Sequence, residues 1–291
     1  MLEDLPRPAL YVVATPIGNL GDISARALDV LRKVDLIAAE DTRVTGALLA
    51  HFGIDKPMLA LHQHNERRAI ARVVAALDEG RAVALAADAG TPAISDPGAL
   101  LVQAVRTAGC PTIPIPGPSA LATAWSVSGL SGPFLFHGFL PARASERRKR
   151  LASLAHLDCA LVFYEAPHRV VETARDLAEV LGGSRRAVVA RELTKLFETV
   201  HECDLEALAP WLLADANRQR GEFVLIVSGS PAQVPLDALA EKALRVLIED
   251  LSPAQAARLA ARIAGVPRAP LYELAVKLRG GRGEEGLDED D

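Results

Sequence analysis

The sequence predicts two α/β domains with a ligand cleft between them, followed by a small all-helical domain of helix-turn-helix shape. Three observations carry this prediction. Up to about residue 230, short apolar runs rich in β-formers alternate with amphipathic helical stretches, the pattern of βα units on largely parallel sheets. From Pro235 the chain becomes almost wholly helical. The segments that follow the predicted strands are rich in Gly, Pro and small polar residues, and in an open α/β sheet ligands bind at the carboxyl ends of strands.

Taken in order, strands are expected at residues 10–14, 36–39, 83–86 and 112–115, then at 134–138, 159–164, 187–190 and 223–227. Helices are expected at 24–33, 66–79 and 169–181. The stiff Pro116-Gly117-Pro118 run marks the junction of the halves, giving domains at residues 1–116 and 117–231. A helical domain then spans 232–281: residues 236–251 are helical, Ser252 is an N-cap with Pro253 at the first helical position, and Gly265 closes the second helix. Another helix follows at 269–278. Two helices joined by a short Gly-containing turn suit nucleic acid, but most such hairpins only pack. Residues 282–291 read as a disordered acidic tail.

Composition narrows the class. With 291 residues, 50% hydrophobic and 24% charged, the chain is an ordinary globular protein, not a disordered, collagenous or coiled-coil one. Cys110, Cys159 and Cys203 are too far apart for a close zinc-site spacing and suggest core residues in a reducing compartment. No apolar run reaches the roughly 18 residues a membrane span needs. The N-terminus carries no signal-peptide pattern. The expectation is a soluble cytoplasmic protein without a membrane partner. The net charge of −5 is an end effect: the last nine residues hold six of the 37 acids, and without them the body carries 32 bases against 31 acids. Within that body, Arg143, Arg147, Arg148, Lys149 and Arg150 cluster in ARASERRKR, which reads either as a phosphate-binding patch or as a solvated helix face.

Common site signatures are missing. No G-x-G-x-x-G follows the first predicted strand, and there is no Gly-Lys pair for a phosphate loop, no H-E-x-x-H and no G-x-S-x-G. His62 and His64 with Glu66 suit either a metal or plain surface polarity, and no metal is expected. His168 near Glu165 is either an acid/base pair or a helix-start contact. What stands out instead is four loops at predicted strand ends: VVATPIGNLGD, ALAADAGTPAISDPG, IPIPGPSALATA and LVFYEAPHR. Ordinary turn chemistry explains any one of them. It explains four together much less well.

In order along residues 8–230, TPIGNLGDIS, AEDTR, ADAGTPAISDPG, PGPSA, FYEAPHR and RELTK resemble the ribosomal RNA small subunit methyltransferase I family, within the tetrapyrrole-methylase superfamily. The C-terminal helices resemble the helix-turn-helix domain which that family appends. The resemblance implies a tetrapyrrole-methylase type of fold, S-adenosylmethionine as methyl donor, and 2'-O-methylation of a cytidine ribose in the decoding region of 16S rRNA. It also implies a homodimer, with 16S rRNA or the 30S subunit as partner. Carried over by motif, the donor-binding residues are Pro16, Ala89, Gly90, Thr91, Ile94, Ser119, Ala120, Tyr164 and Glu165. The chain departs from the superfamily where tetrapyrrole members have Gly-Gly-Asp-Pro and it has Ala89-Gly90-Thr91-Pro92, so any carboxylate role there passes to Asp88 or Asp96.

Methyl transfer to a hydroxyl depends on positioning and on a base, or on a cation that stabilises the alkoxide. Lys195 and Glu192 in RELTK rank first, followed by Glu165 and then Glu40 or Asp41. Two other readings compete: methylation of a tetrapyrrole or another small molecule on the same fold, and a non-enzymatic nucleic-acid-binding protein. The basic stretch and the appended helices favour RNA over the first. The four loops disfavour the second.

Overall fold

The computed structural model describes residues 5–62, 65–230 and 238–280, which fall into two compact units divided between Gly229 and Ser230. The predicted acidic tail, and His64 of the possible metal group, lie outside the described residues.

The first unit holds two five-stranded sheets. One is built from β1 (Ala9–Val13), β2 (Leu36–Ala39), β3 (Met58–Ala60), β4 (Ala82–Ala86) and β5 (Thr112–Ile115), in the order β3-β2-β4-β1-β5. All its pairings are parallel. Parallel strands need crossovers, which α1 (Ala25–Lys33), α2 (Thr42–His51), α3 (Glu66–Asp78) and α4 (Ala99–Thr107) supply. One face of the sheet packs on Val30 and Leu31 of α1. The other packs on Val73 and Leu77 of α3 and Leu101 of α4, so β4 is buried on both sides. Helix α1 starts one residue later than the sequence predicts because Ser24 caps it, accepting the Ala27 N–H at 3.0 Å.

The second half contains α5 (Ala120–Ser126), β6 (Phe134–Phe139), α6 (Ala144–Leu154), β7 (Ala160–Glu165), α7 (Val170–Leu181), β8 (Arg186–Arg191), β9 (Thr199–Asp204), α8 (Leu205–Leu213) and β10 (Phe223–Val227). Its sheet order is β6-β7-β10-β8-β9. The expectation of largely parallel sheets fails here, because only β6 and β7 run parallel. The short β8–β9 connection can make only a hairpin, and β10 lies antiparallel between β7 and β8. Strands β3 and β9 were not expected. The first has three residues, and the second is an edge strand, TVHECD, whose mixture of polar and apolar positions is at most half-buried.

The basic stretch of α6 divides. Arg143, Lys149 and Arg150 are exposed. Arg147 is not available to a phosphate, which corrects the sequence expectation: its side chain is 1% exposed, and its Nε donates to Asp176 of α7 at 2.6 Å. Another of its nitrogens donates to the Ala142 carbonyl at 3.1 Å. Arg148 is half-exposed and shares Asp176 at 2.7 Å while reaching Glu179 at 3.3 Å. These guanidiniums clamp α6 to α7 over the apolar layer of Leu151, Leu154, Ala174 and Leu177.

The second unit is α9 (Ala238–Asp250), α10 (Pro253–Ala264) and α11 (Arg268–Gly280), packed around Leu244, Ala257, Ala260 and Leu271. Gly265 ends α10 in the left-handed conformation at φ 69°, as its place in the sequence implies.

Removing one member of a buried ion pair leaves the other charge uncompensated. Asp176→Ala is therefore expected to lower the unfolding free energy by about 3–5 kcal/mol, read from urea denaturation. Loss below about 1 kcal/mol would show that the clamp is not integral to the fold.

Candidate active site

A cavity of about 340 Å³ lies between the two sheets of the first unit. Its first wall comes from three adjacent strands, β4, β1 and β5, whose carboxyl-end loops are fastened to one another. Thr15 and Gly90 exchange backbone hydrogen bonds of 2.9 and 3.1 Å, which ties the loop after β1 to the loop after β4. The Thr15 hydroxyl donates to the Ala87 carbonyl at 3.0 Å, and the Thr91 hydroxyl donates to the Pro118 carbonyl at 3.0 Å, which brings in the loop after β5. Gly90 sits at φ 84°, and a Cβ there would meet Ile17 Cγ2 at 3.3 Å, so the close approach of these loops requires glycine.

The second wall comes from β7, β8 and the start of β10. Because β10 is antiparallel to its neighbours, its first residues lie beside the last residues of theirs, with Phe223 opposite both Glu165 and Arg191. Glu222, Phe223 and Val224 therefore line the cavity. The Tyr164 hydroxyl accepts the Leu121 N–H at 3.1 Å, linking β7 to the first turn of α5. Burial raises its pKa, and the Asp96 carboxylate raises it further against the opposing effect of that N–H. Phe136 and Phe139 pack edge-on to its ring at 4.9 and 5.7 Å.

Backbone strain concentrates here. Among the described residues, the non-glycine positions with positive φ are Ala93 at 65°, Glu192 at 52° and Thr194 at 67°. All three fall in the loops after β4 and β8. Such outliers persist only where surrounding structure fixes them, and they cluster at functional sites.

Of the predicted donor-binding residues, Ala89, Gly90, Thr91, Ile94, Ser119, Ala120, Tyr164 and Glu165 line the cavity. Pro16 does not; it is buried between Thr15 and Ile17, and Ile17 forms the wall in its place. Phe139 and Leu193 also line the cavity and carried no loop signature.

The predicted acid/base residues are differently placed. Glu165, whose side chain is wholly buried, accepts from Thr173 at 2.6 Å, from the Ala166 N–H at 2.8 Å and from Arg169 at 2.6 and 2.8 Å. Its carboxylate is fully engaged, which removes it as a proton acceptor and corrects that expectation. Arg169 is its partner, while His168 is exposed. Lys195 and Glu192 stand at the rim, outside the lining: the ammonium bridges Glu192 at 2.8 Å and Glu222 at 2.9 Å. Burial by itself lowers the pKa of Lys195, but the hydrogen bonds to both carboxylates outweigh it and leave the pKa raised. Burial likewise pushes Glu192 up, and Lys195 with the Glu222 N–H reverses that to a net lowering. The pair is thus a locked ammonium and carboxylate, and Lys195 is a cation rather than a base. Asp41 is held at about 2 by hydrogen bonds from Arg43, its side chain first and its backbone next. Glu40 is raised by burial and by repulsion from Asp96 and Asp88. No cluster of three or more His, Cys, Asp or Glu suited to a metal occurs among the described residues.

Comparison with known proteins bears directly on this cleft. Residues 9–209 match the family described as Tetrapyrrole (Corrin/Porphyrin) Methylases, and residues 234–279 match the RsmI C-terminal HTH domain. The chain is 54% identical over 265 residues to Ribosomal RNA small subunit methyltransferase I of Xylella fastidiosa strain Temecula1, covering 90% of this chain and 97% of that protein. This chain belongs to the ribosomal RNA small subunit methyltransferase I family. It is a methyltransferase of the tetrapyrrole-methylase fold with an appended helical domain. The Pseudomonas aeruginosa family member is 50% identical over 275 residues, which covers 93% of this chain and 98% of that one. The fold is shared with a solved uroporphyrin-III C-methyl transferase of Thermus thermophilus, complexed with S-adenyl homocysteine. That structure matches at a TM-score of 0.54 and 17% identity, over 76% of this chain and 97% of that one. Among the described residues no helix is long and apolar enough to cross a membrane.

Glu165→Gln preserves the shape of the side chain but leaves Arg169, itself 15% exposed, without a counter-charge. The expected outcome is a loss of about 3 kcal/mol in unfolding free energy. An unchanged urea midpoint would return Glu165 to the list of free acids in the cleft.

Proposed function

We propose that this enzyme transfers the methyl group of S-adenosylmethionine to the 2'-hydroxyl of a cytidine ribose in the decoding region of 16S rRNA, in the cytoplasm and as a homodimer. Residues 1–116 and 117–231 act as the two walls of the donor cleft, and the C-terminal helices act on the RNA side. The observation that carries the reading is the glycine-dependent, backbone-lined cavity in a chain whose relatives, named ribosomal RNA small subunit methyltransferases, match it over about nine-tenths of its length.

The residues present fit the donor. A volume of about 340 Å³ is in the range of small-molecule sites, and the wall at Gly90 is open only because no Cβ is there. Ala89, Gly90, Thr91, Ile94, Ser119, Ala120 and Tyr164 would hold it, with Pro16 acting through Ile17 and Glu165 through the loop it fixes. When bound, the donor supplies an electrophilic methyl on a cationic sulfur. The chain supplies position: the cross-fastened loops keep the cavity shape set in advance, and apolar Ile17, Phe139, Leu193 and Phe223 exclude water around the reacting centre. Lys195 and Glu192 serve as a positioning pair, holding Glu222 at the rim. The exposed Leu196 and Phe197, at the tip of the β8–β9 connection, offer apolar surface to a second copy.

Phosphate contacts fall to the cations of α6 that remain free on the surface, Lys149 and Arg150, with Arg143 beside them and Arg148 half-committed to α7. The helix-turn-helix region supplies further contact area.

Incubation with labelled donor separates the substrates. Label is expected in 30S particles or stripped 16S rRNA and not in tetrapyrrole precursors; label only in the precursors would overturn the RNA assignment. Gly90→Val should weaken donor binding at least tenfold by calorimetry and lower the melting temperature while the chain still folds, because its Cβ adds bulk against Ile17 and strains φ 84°. Undiminished affinity would remove the donor from this cavity. Lys149→Glu with Arg150→Glu should shallow the salt dependence of RNA binding by about one to two units in log K against log salt. A slope equal to wild type would make α6 a solvated face.

A further inference from the structure

We propose that Asp96 accepts the proton of the hydroxyl that is methylated. This rests on the assignment of an oxygen nucleophile to the cleft and names the group that activates it.

Three acids line the cavity: Asp96, Glu165 and Glu222. Glu165 is saturated by Arg169, Thr173 and the Ala166 N–H. Glu222 is bound to the Lys195 ammonium at 2.9 Å. Asp96 is half-buried, and among the described residues the structure shows no hydrogen bond or ion pair to its carboxylate. An acid already holding a cation gains little by taking a proton. One with no partner, facing the reaction space, is free to do so.

The position of Asp96 is also fixed. Its loop is pinned at one end by the Gly90 and Thr91 hydrogen bonds to the neighbouring loops. At the other end the next residue is Pro97, and Gly98 lies so close to β4 that a Cβ would stand 2.8 Å from Leu85. Ala93, between these anchors, holds φ 65°. A loop constrained in this way delivers a side chain to one place. Among the described residues, the groups electrostatically coupled to Asp96 are Asp88 just after β4, which acts on it, and Glu40 just after β2 and Tyr164 on β7, on which it acts; none of these is a cation. Burial first, then repulsion from Asp88, raises the Asp96 pKa, which makes its ionised form a stronger base than an ordinary aspartate.

The step balances. The ribose O–H bond breaks and its proton goes to an Asp96 oxygen, while the hydroxyl oxygen forms the new O–CH₃ bond. The C–S bond breaks with its electron pair left on sulfur, which becomes a neutral thioether, and Asp96 then releases the proton to solvent. Only the carboxylate form can act, so the rate rises as pH climbs through the raised Asp96 pKa and levels above it.

The test is Asp96→Asn in single-turnover methylation of 30S particles at saturating donor across a pH series, with calorimetric affinities for the donor and for its neutral thioether product. A base role predicts a rate loss of about 10²- to 10⁴-fold, loss of the acidic limb of the pH profile, and affinities for both ligands within about threefold of wild type. Activity within threefold of wild type overturns the proposal. So does a loss that follows weakened donor binding with thioether binding unchanged, which would make Asp96 a partner of the sulfonium charge. Should Asp96→Asn fail to fold, Asp96→Glu decides: a displaced acidic limb supports the role, and a limb unchanged from wild type overturns it. If the wild-type chain neither binds donor nor labels RNA, the underlying function falls, and that outcome is separate because it appears before any variant is made.

Discussion

The pairing of Thr15 with Gly90 holds together the part of the molecule on which its chemistry depends. Three loops leave adjacent parallel strands, and each alone is a Gly- and Pro-rich turn with little apolar content. Two backbone hydrogen bonds join the first loop to the second, and the Thr91 hydroxyl joins the second to the third. Backbone groups used in these cross-links are satisfied without helix or sheet, so the loops can be both irregular and rigid. Glycine at position 90 is the condition for it, since a side chain would intrude on Ile17 and strain the turn.

The opposite wall obeys a different constraint. Its sheet is mixed, and the reversal of β10 brings a strand start alongside two strand ends. That reversal places Glu222 within reach of Lys195 and sets Gly221 against Glu192: a Cβ at Gly221 would lie less than 2.5 Å from the Glu192 side chain. The ion pair at the rim and the positive φ of Glu192 and Thr194 lie in this crowded segment.

Charge in this fold is distributed between structure and reaction. Arg147, Asp176, Glu165 and Arg169 are consumed in buried pairs that join a helix to its neighbour or a loop to its strand. Those pairs are costly to break and serve to hold the structure, which is why charged residues within sequence motifs divide so unevenly between roles. Glu40 and Asp96 are raised by burial first and then by the carboxylates around them, Asp88 among these, while the nearby cation Arg43 acts on Asp88.

Most of the strands, the four cleft loops and the helical C-terminal unit were legible in the sequence because each depends on local pattern: buried parallel strands as apolar runs, a cap at Ser252, glycine where the chain turns back. Eight of the nine residues that the family resemblance implies for the donor line the cavity; all eight lie in the strand-end loops or at the element ends beside them. What the pattern could not supply was the partner of each charge and the direction of each strand. Arg147 looks like its exposed neighbours until α7 brings Asp176 against it, and Glu165 looks like a free acid until Arg169 and Thr173 close on it. Glu222 has no signature at all, because it reaches the cleft only through the antiparallel course of β10. Local sequence fixes which elements form. Long-range packing decides which charges are spent in holding them together and which remain free for chemistry.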